Sequence, residues 1–148
     1  MSHKEDQVLL AASLDLIGPV ADEVIASFYD ELFTMRPDVR AMFPAEMHAQ
    51  REKLLTAIVA LVTHYDRPEQ LLPALTAMGR RHDTYGVTIE HYAAVGGALL
   101  TTLRRYAGVA WTPELEGAWR RAYTFAAGAM MHAGANAASA NEHRAAAA

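Results

Sequence analysis

The sequence predicts an all-α domain. Three observations carry this. Alanine, the best helix former, occurs 30 times, whereas valine, isoleucine and threonine together occur 23 times. Apolar residues recur at helical spacing in six long segments, and no segment alternates convincingly as a strand. Proline, glycine and capping residues separate these segments with short connections.

The elements follow in order. Ser2 and Glu5 have the spacing of a capping box, and Val8, Leu9, Ala12 and Leu16 follow at helical period. Gly18-Pro19 stops this first helix. A second helix is expected from Val20 to Met35, with Val24, Phe28, Leu32 and Met35 on one face. Pro37 breaks it, Asp38 to Phe43 reads as a short helical turn, and Pro44 resets the chain. A third helix, from Glu46 to Tyr65, faces Leu54, Leu55, Ile58, Leu61, Val62 and Tyr65 inward. Arg67-Pro68 starts a fourth, since proline is tolerated in a first turn. It carries Leu71, Leu72, Leu75 and Met78 and ends near Asp83. Tyr85-Gly86-Val87 connects it to a fifth, from Thr88 to Ala107, with Tyr92, Val95, Leu99, Leu103 and Tyr106 inward. Thr112-Pro113-Glu114 supplies a cap, a first-turn proline and a first-turn acid for the sixth. Its inward stripe is Leu115, Trp119, Tyr123, Ala127 and Met130.

A chain of 148 residues suits one domain, and 52% apolar content suffices for a core. The expected domain spans residues 1–134. Residues 135–148 read as an Ala-rich extension that frays for want of a large apolar anchor. The formal charge of −4 argues against nucleic acid as a partner. The absence of cysteine removes disulfides, thiolate zinc sites and iron–sulfur clusters, and fits a cytoplasmic location. The polar N-terminus lacks a signal-peptide core, and no apolar run is long enough for membrane insertion.

Two motifs invite chemistry. Arg80 to Leu100 looks like a helix-turn-helix, but Ile89 to Leu103 bears almost no basic side chain to reach phosphates. His82 stands four residues after Met78 and seven after Leu75, so it projects from an apolar face. A histidine there either satisfies itself within the core or binds a metal. As an axial ligand to heme iron it would bind through one ring nitrogen. The other nitrogen would donate to a backbone carbonyl near Met78. No His-Glu-x-x-His, Glu-x-x-His or Gly-x-Ser-x-Gly pattern offers another site.

Three segments carry a family resemblance across residues 8 to 134. They are Phe28-Tyr29-Asp30-Glu31-Leu32-Phe33 with Pro37, Arg40 and Phe43; Arg80-Arg81-His82-Asp83-Thr84-Tyr85-Gly86-Val87 with Glu90-His91-Tyr92 and Val95-Gly96; and Trp111-Thr112-Pro113-Glu114-Leu115 with Trp119 and Tyr123. In their order and spacing the chain resembles a single-domain bacterial globin, close to the heme domain of flavohemoglobins and to Vitreoscilla-type hemoglobin. The resemblance implies a globin fold with heme b between the third and fourth long helices. His82 matches the proximal iron ligand and Phe43 the phenylalanine against the heme face. Tyr29 and Gln50 match the distal tyrosine and glutamine that hold bound oxygen, and Leu54 crowds the ligand. Lys53 or Arg51 would reach a propionate, while Met78, Val87, Tyr92 and Val95 would line the proximal side.

The implied function is binding of O2, NO and CO, for oxygen storage or delivery or for conversion of NO and O2 to nitrate. Because no flavin or nicotinamide domain follows, an external reductase is the expected partner. The alternative is a gas or redox sensor working through a partner protein. A variant makes the iron six-coordinate through His48 or Lys53, although His48 lies roughly 200° around the helix from Gln50. Trp111, Trp119 and Met131 are read as an apolar patch that would favour a homodimer. The chain departs from the family at two places. The family's late glutamate, which meets the proximal histidine through a tyrosine, falls at Gly134, leaving Tyr92 without its acid. The connector before the third helix is also about three residues shorter.

Overall fold

Six helices meet at short corners in the computed structural model, which describes residues 2–147, with side chains through Asn136. They are α1 (His3–Ile17), α2 (Ala21–Met35), α3 (His48–His64), α4 (Leu72–Thr84), α5 (Ile89–Ala107) and α6 (Pro113–Ala147). Short 3-10 turns at Gly18–Val20, Pro37–Met42, Pro68–Gln70 and Gly108–Ala110 make most of the corners. Three of these turns contain a proline at their start, as the sequence punctuation requires.

Local chemistry sets the ends. Ser2 and Glu5 form the expected capping box. Thr88 caps α5, with His91 completing a reciprocal pair. α3 begins at His48 rather than Glu46, and Pro68–Gln70 forms a separate turn before α4. α6 continues past Gly134 without a break. The expectation of an unanchored tail rests on side chains of which those beyond Asn136 lie outside the described residues.

The buried face of α1 differs from the apolar run. Asp6, Leu10, Ser13 and Ile17 are buried, whereas Val8 and Leu16 are exposed. Two polar partners explain this. Arg121 grips the Asp6 carboxylate with Nε at 2.7 Å and Nη2 at 2.9 Å. Trp119 Nε1 donates to Ser13 Oγ at 3.0 Å, and Ser13 Oγ donates to the Leu10 carbonyl at 2.7 Å. Trp119 is fully buried by this arrangement, so it cannot belong to the exposed patch expected with Trp111 and Met131. Met35 and Leu72 also turn out exposed.

The interior divides into two buried clusters. The larger joins α1, α2, α3, α5 and the first half of α6 around Leu10, Phe28, Leu32, Val62, Leu99 and Trp119. The smaller joins Leu71 and Leu75 to Ala126 and Met130. α4 packs chiefly against α6. At their crossing the helix backbones nearly touch: a β-carbon at Gly79 would stand 2.2 Å from the Met130 carbonyl oxygen. Among the described residues no helix is long and apolar enough to cross a membrane.

Candidate functional site

The sequence-expected site residues fall into two groups. Tyr29, Phe43, Gln50 and Leu54 belong to α2, the following corner and α3. Met78, His82, Val87 and Tyr92 belong to α4, its C-terminal turn and α5. Phe43, Leu54 and Val95 pack on the larger cluster, Met78 and Tyr92 on the smaller. No hydrogen bond or ring contact joins Tyr29, Phe43 and Gln50 to Met78, His82 and Tyr92 among the described residues.

The first group is an aromatic nest with a polar tip. Tyr29 is 5% exposed. Its ring meets Phe28, Phe33 and Phe43 at centroid distances of 4.9, 5.9 and 5.6 Å. Gln50 Nε2 donates to the Tyr29 hydroxyl oxygen at 3.1 Å. Burial raises the phenol above its ordinary range, opposed by the smaller effect of the Gln50 bond. The hydroxyl therefore keeps its proton at physiological pH and can donate it onward. Leu54, one turn after Gln50, is half-buried. Lys53 and His48 are exposed, and His48 pairs with Glu52 at 3.1 Å, away from Tyr29.

Sequence reasoning missed the residue that holds this corner. Arg40 donates to the carbonyls of Pro44 at 3.0 Å and Ala45 at 3.1 Å, with a longer bond to Phe43 at 3.4 Å. Its guanidinium lies 5.2 Å from the Phe33 ring centre. The signal was present in the sequence: a lone arginine between Pro37 and Pro44, in a turn whose carbonyls lack helical partners.

The second group centres on His82. Its Nδ1 lies 2.7 Å from the Met78 carbonyl oxygen. A carbonyl can only accept, so Nδ1 carries the proton, and the tautomer this selects has its lone pair on Nε2. Directly after His82 the helix ends in a Schellman motif. Gly86, at φ 78°, donates to the Asp83 carbonyl, and Val87 N–H donates to the His82 carbonyl at 3.1 Å. Only glycine takes that φ without strain, so the chain is turned toward α5 within four residues of His82.

The Tyr92 ring then lies nearly parallel to the His82 ring, 26° off, with centroids 6.2 Å apart. Tyr123, another residue not singled out for the site, donates its hydroxyl to the Tyr92 carbonyl. Its ring fills the space over Gly96, where a β-carbon would stand 2.8 Å from Tyr123 Cε2. Val95, one turn before Leu99 on the same helix, is half-buried.

Helix order and corners alone suggest a family, and a family model decides it: the model described as Globin matches residues 26–130. The chain belongs to the globin family. This globin is 36% identical over 115 residues to a flavohemoprotein of Rhodopirellula baltica, covering 76% of this chain and 28% of the relative. It is 32% identical over 126 residues to the flavohemoprotein of Bordetella parapertussis, covering 83% and 31%. The globin thus spans about three-tenths of the length of these relatives.

Among solved structures it resembles an engineered carbene transferase from Rhodothermus marinus, built on a protein proposed to be a nitric oxide dioxygenase. The identity is 25% and the TM-score 0.83, over 96% of this chain and 99% of the other. A bacterial globin of Campylobacter jejuni shares the fold at 22% identity and a TM-score of 0.80, over 92% and 99%.

Proposed function

We propose that this globin binds heme b and, through it, diatomic gases, with His82 as the iron ligand. The observation that carries this reading is the His82–Met78 bond, which selects the Nδ1–H tautomer, the one with Nε2 as a lone-pair donor. The surroundings fit the group. Phe43, Leu54, Met78, Val87, Tyr92 and Val95 are half-buried, so apolar surface on both groups is left for a flat apolar partner to cover. Among the described residues no cluster of three or more histidine or acidic side chains competes as a metal site.

When bound, heme supplies a redox-active iron with a coordination position open to a diatomic ligand. The protein residues do the rest. His82 would hold the metal from α4, and its Nδ1 bond to the Met78 carbonyl keeps the ring from swinging. On the other side Tyr29 presents a hydroxyl proton, because its oxygen already accepts from Gln50. That proton favours a ligand that gathers negative charge, so it selects oxygen over carbon monoxide. Phe43 and Leu54 exclude water beside it. Lys53 and Arg51 on α3 are the cations proposed to meet the propionates.

The flavohemoprotein relatives and the dioxygenase-derived structural neighbour support a nitric oxide-detoxifying role, with oxygen and nitric oxide converted to nitrate and electrons supplied by a flavin reductase. Tyr29 and Gln50 would hold and orient the oxygen while nitric oxide reaches it through the apolar surroundings.

Absorption spectra of the hemin-reconstituted protein test the proposal. A Soret band that shifts on reduction and again with carbon monoxide is expected. His82→Ala should lose it or bind hemin far more weakly. A wild-type chain that takes up no hemin would overturn the reading.

A further inference from the structure

A pocket of about 410 Å³ opens between the first turn of α1, the residue that ends α3 and the first half of α6. It shares no residue with either group of the candidate site. α1 contributes His3 and Asp6, the end of α3 contributes Tyr65, and α6 contributes Arg120, Arg121, Thr124 and Phe125. Small-molecule sites run to roughly 300–1,000 Å³, so this pocket has room for more than a bare ion.

Tyr65 is the polar group that the fold leaves unanswered. The residue is 2% exposed. Its ring is stacked on His3 with centroids 4.5 Å apart and meets Phe125 edge-on at 6.0 Å. Its backbone carbonyl lies 3.1 Å from His3 Nδ1, which ties the two walls together. The Tyr65 hydroxyl makes no hydrogen bond among the described residues. Yet no described side-chain oxygen is both sealed from solvent and unpartnered. The hydroxyl therefore reaches the pocket that its residue lines. Burial, aided by the Asp6 charge and opposed by Arg121, raises this phenol above its ordinary value, so it keeps a proton to donate.

The charges around it are unequal. Arg121 is matched by Asp6, which it grips at 2.7 and 2.9 Å. Arg120 has a 3.5 Å contact with Glu116, whose other oxygen is already held by Arg104 at 2.7 Å and Trp111 at 3.1 Å. Arg120 thus brings surplus positive charge and a planar fork of N–H donors to the rim. Thr124 stands one helical turn after Arg120, on the same face of α6, and adds a hydroxyl. Phe125 and the His3–Tyr65 stack supply an aromatic wall.

We propose that this pocket binds a small organic oxyanion, a phosphate or carboxylate carried on a flat ring: Arg120, Thr124 and the Tyr65 hydroxyl hold its oxygens, and its carbon frame lies along Phe125 and His3. Such an occupant gives the Tyr65 proton the acceptor that the fold withholds. It also bridges α1, α3 and α6, so its binding raises the thermal midpoint. The site stands whether or not the heme reading does.

Isothermal titration calorimetry of the purified protein tests this with phenyl phosphate and benzoate. At least one should bind saturably. Inorganic phosphate and phenol, each lacking half of the ligand, should bind it at least about tenfold more weakly. Arg120→Gln and Tyr65→Phe should each weaken the organic anion about tenfold, the loss of one hydrogen bond to a charged acceptor. Arg120 is largely exposed, so Arg120→Gln should fold as wild type does. Tyr65→Phe keeps the ring stack, and its ligand-free stability should be unchanged, since the hydroxyl has no bond to lose.

A clear loss of ligand-free stability in Tyr65→Phe would overturn the proposal, because the hydroxyl would then have its partner within the fold. So would the absence of saturable binding at millimolar concentration, or binding that both variants leave intact. Phosphate or phenol binding as tightly as phenyl phosphate would equally sink it.

Discussion

Replacing Tyr29 by phenylalanine removes one oxygen and little else. The ring keeps Phe28, Phe33 and Phe43 as neighbours at 4.9, 5.9 and 5.6 Å. What is lost is the hydroxyl proton that Gln50 leaves free by donating to the phenol oxygen at 3.1 Å. A hydrogen bond to a charged acceptor is worth roughly 1.5–3 kcal/mol. At about 1.4 kcal/mol per decade, that is roughly ten- to a hundredfold in ligand off-rate. Phenylalanine also releases the Gln50 amide, which can turn toward the ligand and recover part of the loss. Tyr29→Phe alone should therefore speed oxygen release about tenfold, and Tyr29→Phe with Gln50→Leu about a hundredfold. Carbon monoxide, which gathers little charge, should leave at nearly the wild-type rate in both. Stopped-flow displacement on the heme-loaded protein measures all of these. Oxygen off-rates within twofold of wild type in both variants would refute the donor role of Tyr29.

Three further outcomes follow from the packing. Asp6→Asn should cost about 1–2 kcal/mol at neutral pH, discounted because Arg121 stays partly in water. The Arg121 bonds, partly offset by burial, hold the Asp6 carboxyl below its ordinary value, so its stabilisation is complete above the unfolded aspartate range near about pH 4. Chemical denaturation across pH should show the wild-type advantage closing as pH falls through that range and below it. Trp119→Phe should cost about 2–3 kcal/mol in the same assay, since it leaves a cavity and takes the Trp119 donor from Ser13 Oγ. Gly79→Ala should lower the thermal midpoint, by about 1–3 kcal/mol of stability, because its β-carbon meets the Met130 backbone rather than a yielding side chain.

Much of the fold was legible because it was written locally. The Ser2–Glu5 box, the prolines at the corners and the Tyr85-Gly86-Val87 connector each act within a few residues, and each appears as expected. The His82 bond to the Met78 carbonyl was legible for the same reason, being one helical turn long. What hydropathy could not show was polar burial through distant partners. Asp6 is buried by an arginine 115 residues away, and Ser13 by a tryptophan 106 residues away. Those two pairs rotate α1 so that Val8 and Leu16 face outward. In the candidate site His82 stood out by helical spacing, whereas Tyr29, Phe43 and Gln50 came forward only through the family resemblance. The roles of Arg40 and Tyr123 were not legible, because they come from backbone carbonyls that the sequence does not place beside them.

The division of the interior has a thermal consequence. Helices that share the larger cluster support one another and lose structure together. α4 has one main neighbour, so the α4–α6 crossing chiefly keeps it seated. In the unloaded chain, amide exchange along Leu72–Thr84 should outpace that in α2 and α5. A ligand gripped from both groups changes this, because opening α4 then also costs the ligand's binding free energy. Under the heme reading proposed above, cofactor uptake and the seating of α4 would become one equilibrium, and cofactor loss would register as local unfolding well before the rest of the molecule melts.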